Sequence, residues 1–118
     1  MQETSPGQFQ VSLNENISIT VTAALEPFAA TFGVDGAAIS GPTASPASDL
    51  EQSVSFSCPG TAGQTVTATL VFDFIPDSTG AYPPGSNYSV VIAGANGATD
   101  NDEIVPPPIS SRTVFFST

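Results

Sequence analysis

The chain has 118 residues and a mass of 11.9 kDa, enough for one domain with a buried core and too little for two. Its 11 acidic residues face a single basic one, Arg112, with no His and no Trp, for a formal net charge of −10. Nucleic acid is thereby excluded as a partner, because displacing counterions from phosphates takes several Lys or Arg, and an anionic membrane would repel such a surface.

Residues 1–7, beginning Met1-Gln2-Glu3-Thr4-Ser5, are polar and read as a flexible N-terminal lead-in; residues 8–118 read as a single domain. Phe9, Val11 and Leu13 alternate with Gln10 and Ser12, the pattern of a half-buried strand. Asn14-Glu15-Asn16 is a turn. From Ile17 to Ala23 the alternation resumes with Ile17, Ile19 and Val21. The two runs are expected to form a tight hairpin or one long bulged strand. Glu26-Pro27 ends the second run.

Ala29 to Val34 predicts a short strand, and Asp35-Gly36 a turn. Ser40 to Ser48, with Pro42 and Pro46 and little apolar bulk, reads as a loop. Val54, Phe56 and Cys58 then share one face, with Ser53, Ser55 and Ser57 on the other. After a turn over Pro59 to Gly63, the clearest strand follows, from about Gln64 to Ile75. In it Val66, Ala68, Leu70, Phe72 and Phe74 alternate with Thr65, Thr67, Thr69, Val71 and Asp73.

Pro76 to Gly85 is a long polar loop carrying Asp77 and Tyr82. Tyr88, Val90 and Ile92 mark another strand, and Asn96-Gly97 suits a type I′ hairpin turn. Asp100-Asn101-Asp102-Glu103 is an acidic knot, followed by the stiff run Pro106-Pro107-Pro108. Val114 and Phe116 on one face, with Phe115 on the other, make the closing strand. Apolar residues nowhere recur at helical spacing over a helical length. The expected fold is all-β: a two-sheet antiparallel β-sandwich of seven to eight strands, with immunoglobulin-like and jelly-roll topologies both open.

The absence of His and Lys removes histidine triads, Ser-Lys dyads and Schiff-base chemistry. One Cys and no His rule out structural zinc. Asp73 and Asp77 are a conceivable carboxylate pair, but a small sandwich offers them little cleft, so no enzyme is expected. Cys58 lies on an inward face and reads as a buried free thiol.

No cofactor is demanded; calcium is the most defensible candidate. Hard cations take several carboxylates and carbonyls at short range. Asp100, Asp102 and Glu103, with Asp77 from another loop, supply that density, although a plainly solvated acidic loop has the same composition. Tyr82, set before two prolines, and Phe115, which cannot share the core face with Phe116, are the candidate ligand or partner contacts.

The function expected is that of a non-catalytic, secreted or cell-surface sandwich with a structural, adhesive or protein-binding role. A small-ligand or carbohydrate-binding module with a calcium-stabilised acidic loop is the first rival. A filament subunit assembled by strand exchange, with Phe9-Val11-Leu13 as the donated segment, is the second. The partners left open are a protein or a neutral glycan, together with self-association through a strand edge.

Overall fold

A computed structural model describes residues 1–23, 28–36, 40–48, 50–74, 78–81, 88–94, 97–101 and 109–118. For 28–30, 40–42, 45–47, 72–74, 88, 97–101 and 109–111 that description covers the backbone and pairing register. Among the described residues every regular element is a strand: β1 Gln2–Ser5, β2 Gln8–Gln10, β3 Asn16–Ala23, β4 Phe28–Asp35, β5 Ser40–Ser48, β6 Glu51–Ser57, β7 Thr65–Phe74, β8 Tyr88–Gly94, β9 Gly97–Asn101 and β10 Ile109–Ser117. They form two five-stranded sheets, β1-β2-β10-β7-β4 and β5-β6-β3-β8-β9. All pairings are antiparallel except β2 with β10, which is parallel. The fold is an all-β sandwich.

Period-two alternation makes the core. The second sheet turns Ile17, Ile19 and Val21 of β3 inward, beside Val54 and Phe56 of β6 and Val90 and Ile92 of β8. The first sheet meets them with Phe9, Val66, Ala68, Leu70, Val114 and Phe116. Phe116 joins the layers: its ring stacks on Phe9 at 5.4 Å and meets the edge of Phe56 in the opposite sheet at 5.5 Å. Cys58 is buried and unpaired. The core positions expected at Phe72 and Phe74 lie outside the described side chains.

Four expectations are corrected. First, the polar start is not an unpaired lead-in: Gln2–Ser5 is an edge strand paired with β2. Gly7, with φ of 75°, makes the turn, and its carbonyl accepts from Phe115 N–H at 2.8 Å.

Second, Phe9-Val11 and Ile17-Val21 are neither a hairpin nor one bulged strand, because β2 and β3 belong to different sheets. Asn14 adopts a left-handed conformation (φ 59°) that turns the chain across the sandwich. Val11 stays buried, but Leu13, in the turn just before Asn14, is 48% exposed.

Third, Ser40 to Ser48 is not a loop. It is edge strand β5, whose register shifts on both sides of the Thr43–Pro46 run accommodate prolines that a central strand would reject. Fourth, the acidic knot is partly strand: β9 runs to Asn101, placing Asp100 opposite Val91. These edge elements raise the strand number among the described residues to ten, above the seven or eight expected.

The C-terminal residue is tied in through its side-chain hydroxyl. Gln64 N–H donates to Thr118 Oγ1 at 3.0 Å, and that hydroxyl donates to Thr61 O at 2.9 Å, clamping the turn before β7.

Candidate interaction surface

The same alternation that fills the core lays out the opposite faces. On β7 the outward positions are Thr65, Thr67, Thr69 and Val71. Their cross-strand neighbours continue the pattern. Thr69 lies between Gly33 of β4 and Thr113 of β10, Thr67 between Asp35 and Phe115, and Val71 between Thr31 and Ser111. Gln8 of β2 extends the Phe115 row and Gln10 extends the Ser117 row.

With about 4.8 Å between strands and about 6.8 Å between same-face residues, this face measures roughly 20 by 20 Å. It is almost uncharged on a chain of net −10. Asp35 stands at the end of β4, and Asp73 holds the next position in phase on β7. Val71 is 39% exposed, and Phe115 is half-buried.

The outer face of the other sheet is also hydroxyl-rich, with Ser18, Thr20, Ser53 and Ser55, but its apolar members, Val91 and Ala93, are half-buried. The first sheet therefore offers the larger apolar contacts. The alternation of Thr with apolar residues in β7 is legible in the sequence; the rows completed by Thr31 and Thr113 depend on cross-strand register.

Of the site residues expected from sequence, Phe115 falls on this surface. Asp100 is fixed only as a backbone position on β9. Asp77, Tyr82, Asp102 and Glu103 lie outside the described residues. Among the described residues, no three His, Cys, Asp or Glu side chains gather as a metal site. The Phe9-Val11 segment, considered as a donated strand, packs in its own domain, with Phe9 2% exposed.

A buried carboxylate was not anticipated. Glu15 is 4% exposed, at the corner between the sheets. Its Oε1 accepts from Ser12 N–H at 2.9 Å, and its Oε2 lies 3.6 Å from the Met1 amino nitrogen. Its backbone carbonyl accepts from Cys58 N–H at 2.8 Å. Burial, and secondarily the Glu15 charge, push the Cys58 thiol up to about 11, which makes it a poor nucleophile. Gly94 leaves room for this carboxylate: a Cβ there would overlap Glu15 Oε2. A Glu between two Asn residues carries a turn signal and no signal of burial, because its cover comes from Gly94, far along the chain. The cluster is a structural pin for the corner.

No family model, curated protein or solved structure matches the chain.

Proposed function

We propose that this chain is a non-catalytic, secreted or cell-surface β-sandwich module whose role is structural or adhesive, exercised through protein contacts on the outer face of the first sheet. The observation that carries the reading is that face: Thr, Ser and Gln rows around exposed Val71 and half-buried Phe115, with Asp35 at the margin, on a strongly acidic chain. Protein interfaces are depleted of charge at their centres and enriched in aromatic residues. Acidic groups elsewhere on the surface favour solubility and disfavour nonspecific association.

Strand order supports an immunoglobulin-like over a jelly-roll topology for this module. Strands β4, β7 and β10 lie in the order of C, F and G, and β3, β6 and β5 in the order of B, E and D. The β8–β9 hairpin, inserted between F and G, occupies the place beside B that strand A ordinarily takes.

Beads coated with the protein, presented to arrayed extracellular proteins and neutral glycans with millimolar calcium or with chelator, test the function. The expected result is saturable binding to protein, indifferent to calcium and lost in Val71→Ser/Phe115→Ser with the circular-dichroism melt unchanged. Calcium-dependent glycan binding would transfer the assignment to the ligand-binding module. Protein binding that survives the double substitution would remove this face from it.

A further inference from the structure

The two sheets have four edges, and three of them carry devices that discourage strand addition. β1 has four residues and a register shift between Glu3 and Ser5. β5 contains Pro42 and Pro46 and two register shifts. β9 has five residues and includes Asp100. Short length, irregular register, proline and charge are the usual means of blunting an edge.

β4 has none of these over most of its length. Its eight residues pair with β7 in unbroken register, from Phe28 opposite Phe74 to Asp35 opposite Thr67. It contains no Pro or Lys, and its single acid, Asp35, is the last residue. Among the described residues nothing pairs with its free edge. Phe32 and Val34, which pack against the core, are only partly buried there.

We propose that β4 is a homodimerisation edge, at which a second copy adds its own β4 antiparallel to form a continuous ten-stranded sheet. The charge distribution selects the orientation. A parallel pairing in register would set the two Asp35 side by side, whereas the antiparallel one separates them. If both sandwiches lie on the same side of the joined sheet, paired residues must share a face, because a one-residue slip exchanges the faces.

The centred register that meets this condition sets Phe32 opposite Phe32 of the second copy, Thr31 opposite Gly33, Ala30 opposite Val34 and Ala29 opposite Asp35. It joins the half-covered Phe32 rings as a cross-strand aromatic pair. The two Asp35 residues then stand about 20 Å apart at 3.4 Å per residue. Seven paired residues a side is small for a specific interface, so the dimer is expected to be micromolar or weaker and to strengthen as salt screens the net charge.

The inference names a partner for the interaction-module reading and rests on the edge; because Thr31 and Gly33 also flank Val71 and Thr69 on the outer face, the Lys/Glu combination, which keeps both positions charged yet lets the edge pair, is what separates the two readings. Sedimentation velocity over a micromolar-to-millimolar range tests it, with circular dichroism as the check on folding. The wild-type mass should rise from 11.9 kDa toward twice that value. Thr31→Glu/Gly33→Glu places like charges directly opposite one another in both central pairs and should weaken association at least tenfold. Thr31→Lys/Gly33→Glu makes those pairs complementary and should restore it. The control Thr4→Glu, exposed on edge β1, should leave it unchanged. A wild type that stays monomeric at millimolar concentration would overturn the proposal. So would a dimer indifferent to the β4 substitutions, or a β4-dependent assembly that the Lys/Glu combination does not rescue. Loss of dimerisation with bead binding retained would leave the outer-face reading intact.

Discussion

Phe116 is the side chain whose loss should cost the fold most. It is fully buried, and its ring contacts Phe9 in its own sheet and Phe56 across the sandwich. Phe116→Ala removes apolar burial and leaves a cavity between two sheets that cannot collapse independently, a loss of about 3–5 kcal/mol. A domain of this length has a total stability of roughly 6–18 kcal/mol at typical values per residue. The variant should therefore fold, but with much of its margin gone. With an unfolding entropy of about 2.1 cal/mol/K per residue, each kcal/mol corresponds to about 4 °C, so Tm should fall by about 12–20 °C. The chain has no Trp, so far-UV circular dichroism during thermal and urea unfolding is the suitable readout. Phe116→Leu keeps most of the volume and should lose only about 1–2 kcal/mol. A cycle combining it with Phe9→Leu should return a coupling of about 0.5–1.5 kcal/mol. If Phe116→Ala cost less than about 1 kcal/mol, a shift of only about 4 °C, the ring would not be the junction of the sheets.

Leu70→Ala, at a fully buried position in β7, should destabilise by about 2–5 kcal/mol in urea titration. Cys58 should resist thiol reagents in the native protein at pH 8, and rapid labelling there would contradict its burial. Its folded-state value of about 11, against an ordinary 9.0, means that the fold retains the thiol proton more tightly than the unfolded chain does. The resulting stabilisation is complete below pH 9 and is lost as pH rises from 9 toward 11, a change of the order of 2 kcal/mol that Cys58→Ala should abolish. Gly94→Ala should destabilise by about 1–3 kcal/mol through overlap with Glu15, with the loss reduced when combined with Glu15→Ala. Calcium at millimolar concentration should shift Tm no more than ionic-strength-matched NaCl does; a calcium-specific rise abolished by Asp102→Asn would establish the acidic segment as a cation site.

Central strands were legible because they bury one face. Ile17-Ile19-Val21, Val66-Ala68-Leu70 and Val114-Phe116 each repeat an apolar residue every second position, and each lies in the core at that phase. Edge strands bury less, and their backbone is paired on one side only. Gln2–Ser5 has no apolar residue to betray it, and Ser40–Ser48 is punctuated by prolines. Both are strands because a neighbour supplies a ladder, which is tertiary information. The division into sheets was hidden for a related reason. Alternation continues from Phe9 through Val11 toward Ile17 while the chain turns from one layer to the other at Asn14, and inward phase is the same on both sides of a shared core.

The candidate surface inherits this asymmetry between phase and register. A strand that alternates Thr with apolar residues specifies two faces at once, so burial of Val66, Ala68 and Leu70 obliges Thr65, Thr67 and Thr69 to face outward. What alternation leaves undetermined is which strands lie beside them, and therefore whether the hydroxyls stand alone or in rows. The register answers this by setting Gly33 and Thr113 on either side of Thr69. Register also determines which strand ends the sheet. The features that recommend β4 as a docking edge, its unbroken pairing and its lack of proline, would be unexceptional in a central strand. They become consequential because β7 pairs with it on one side and no described strand does on the other.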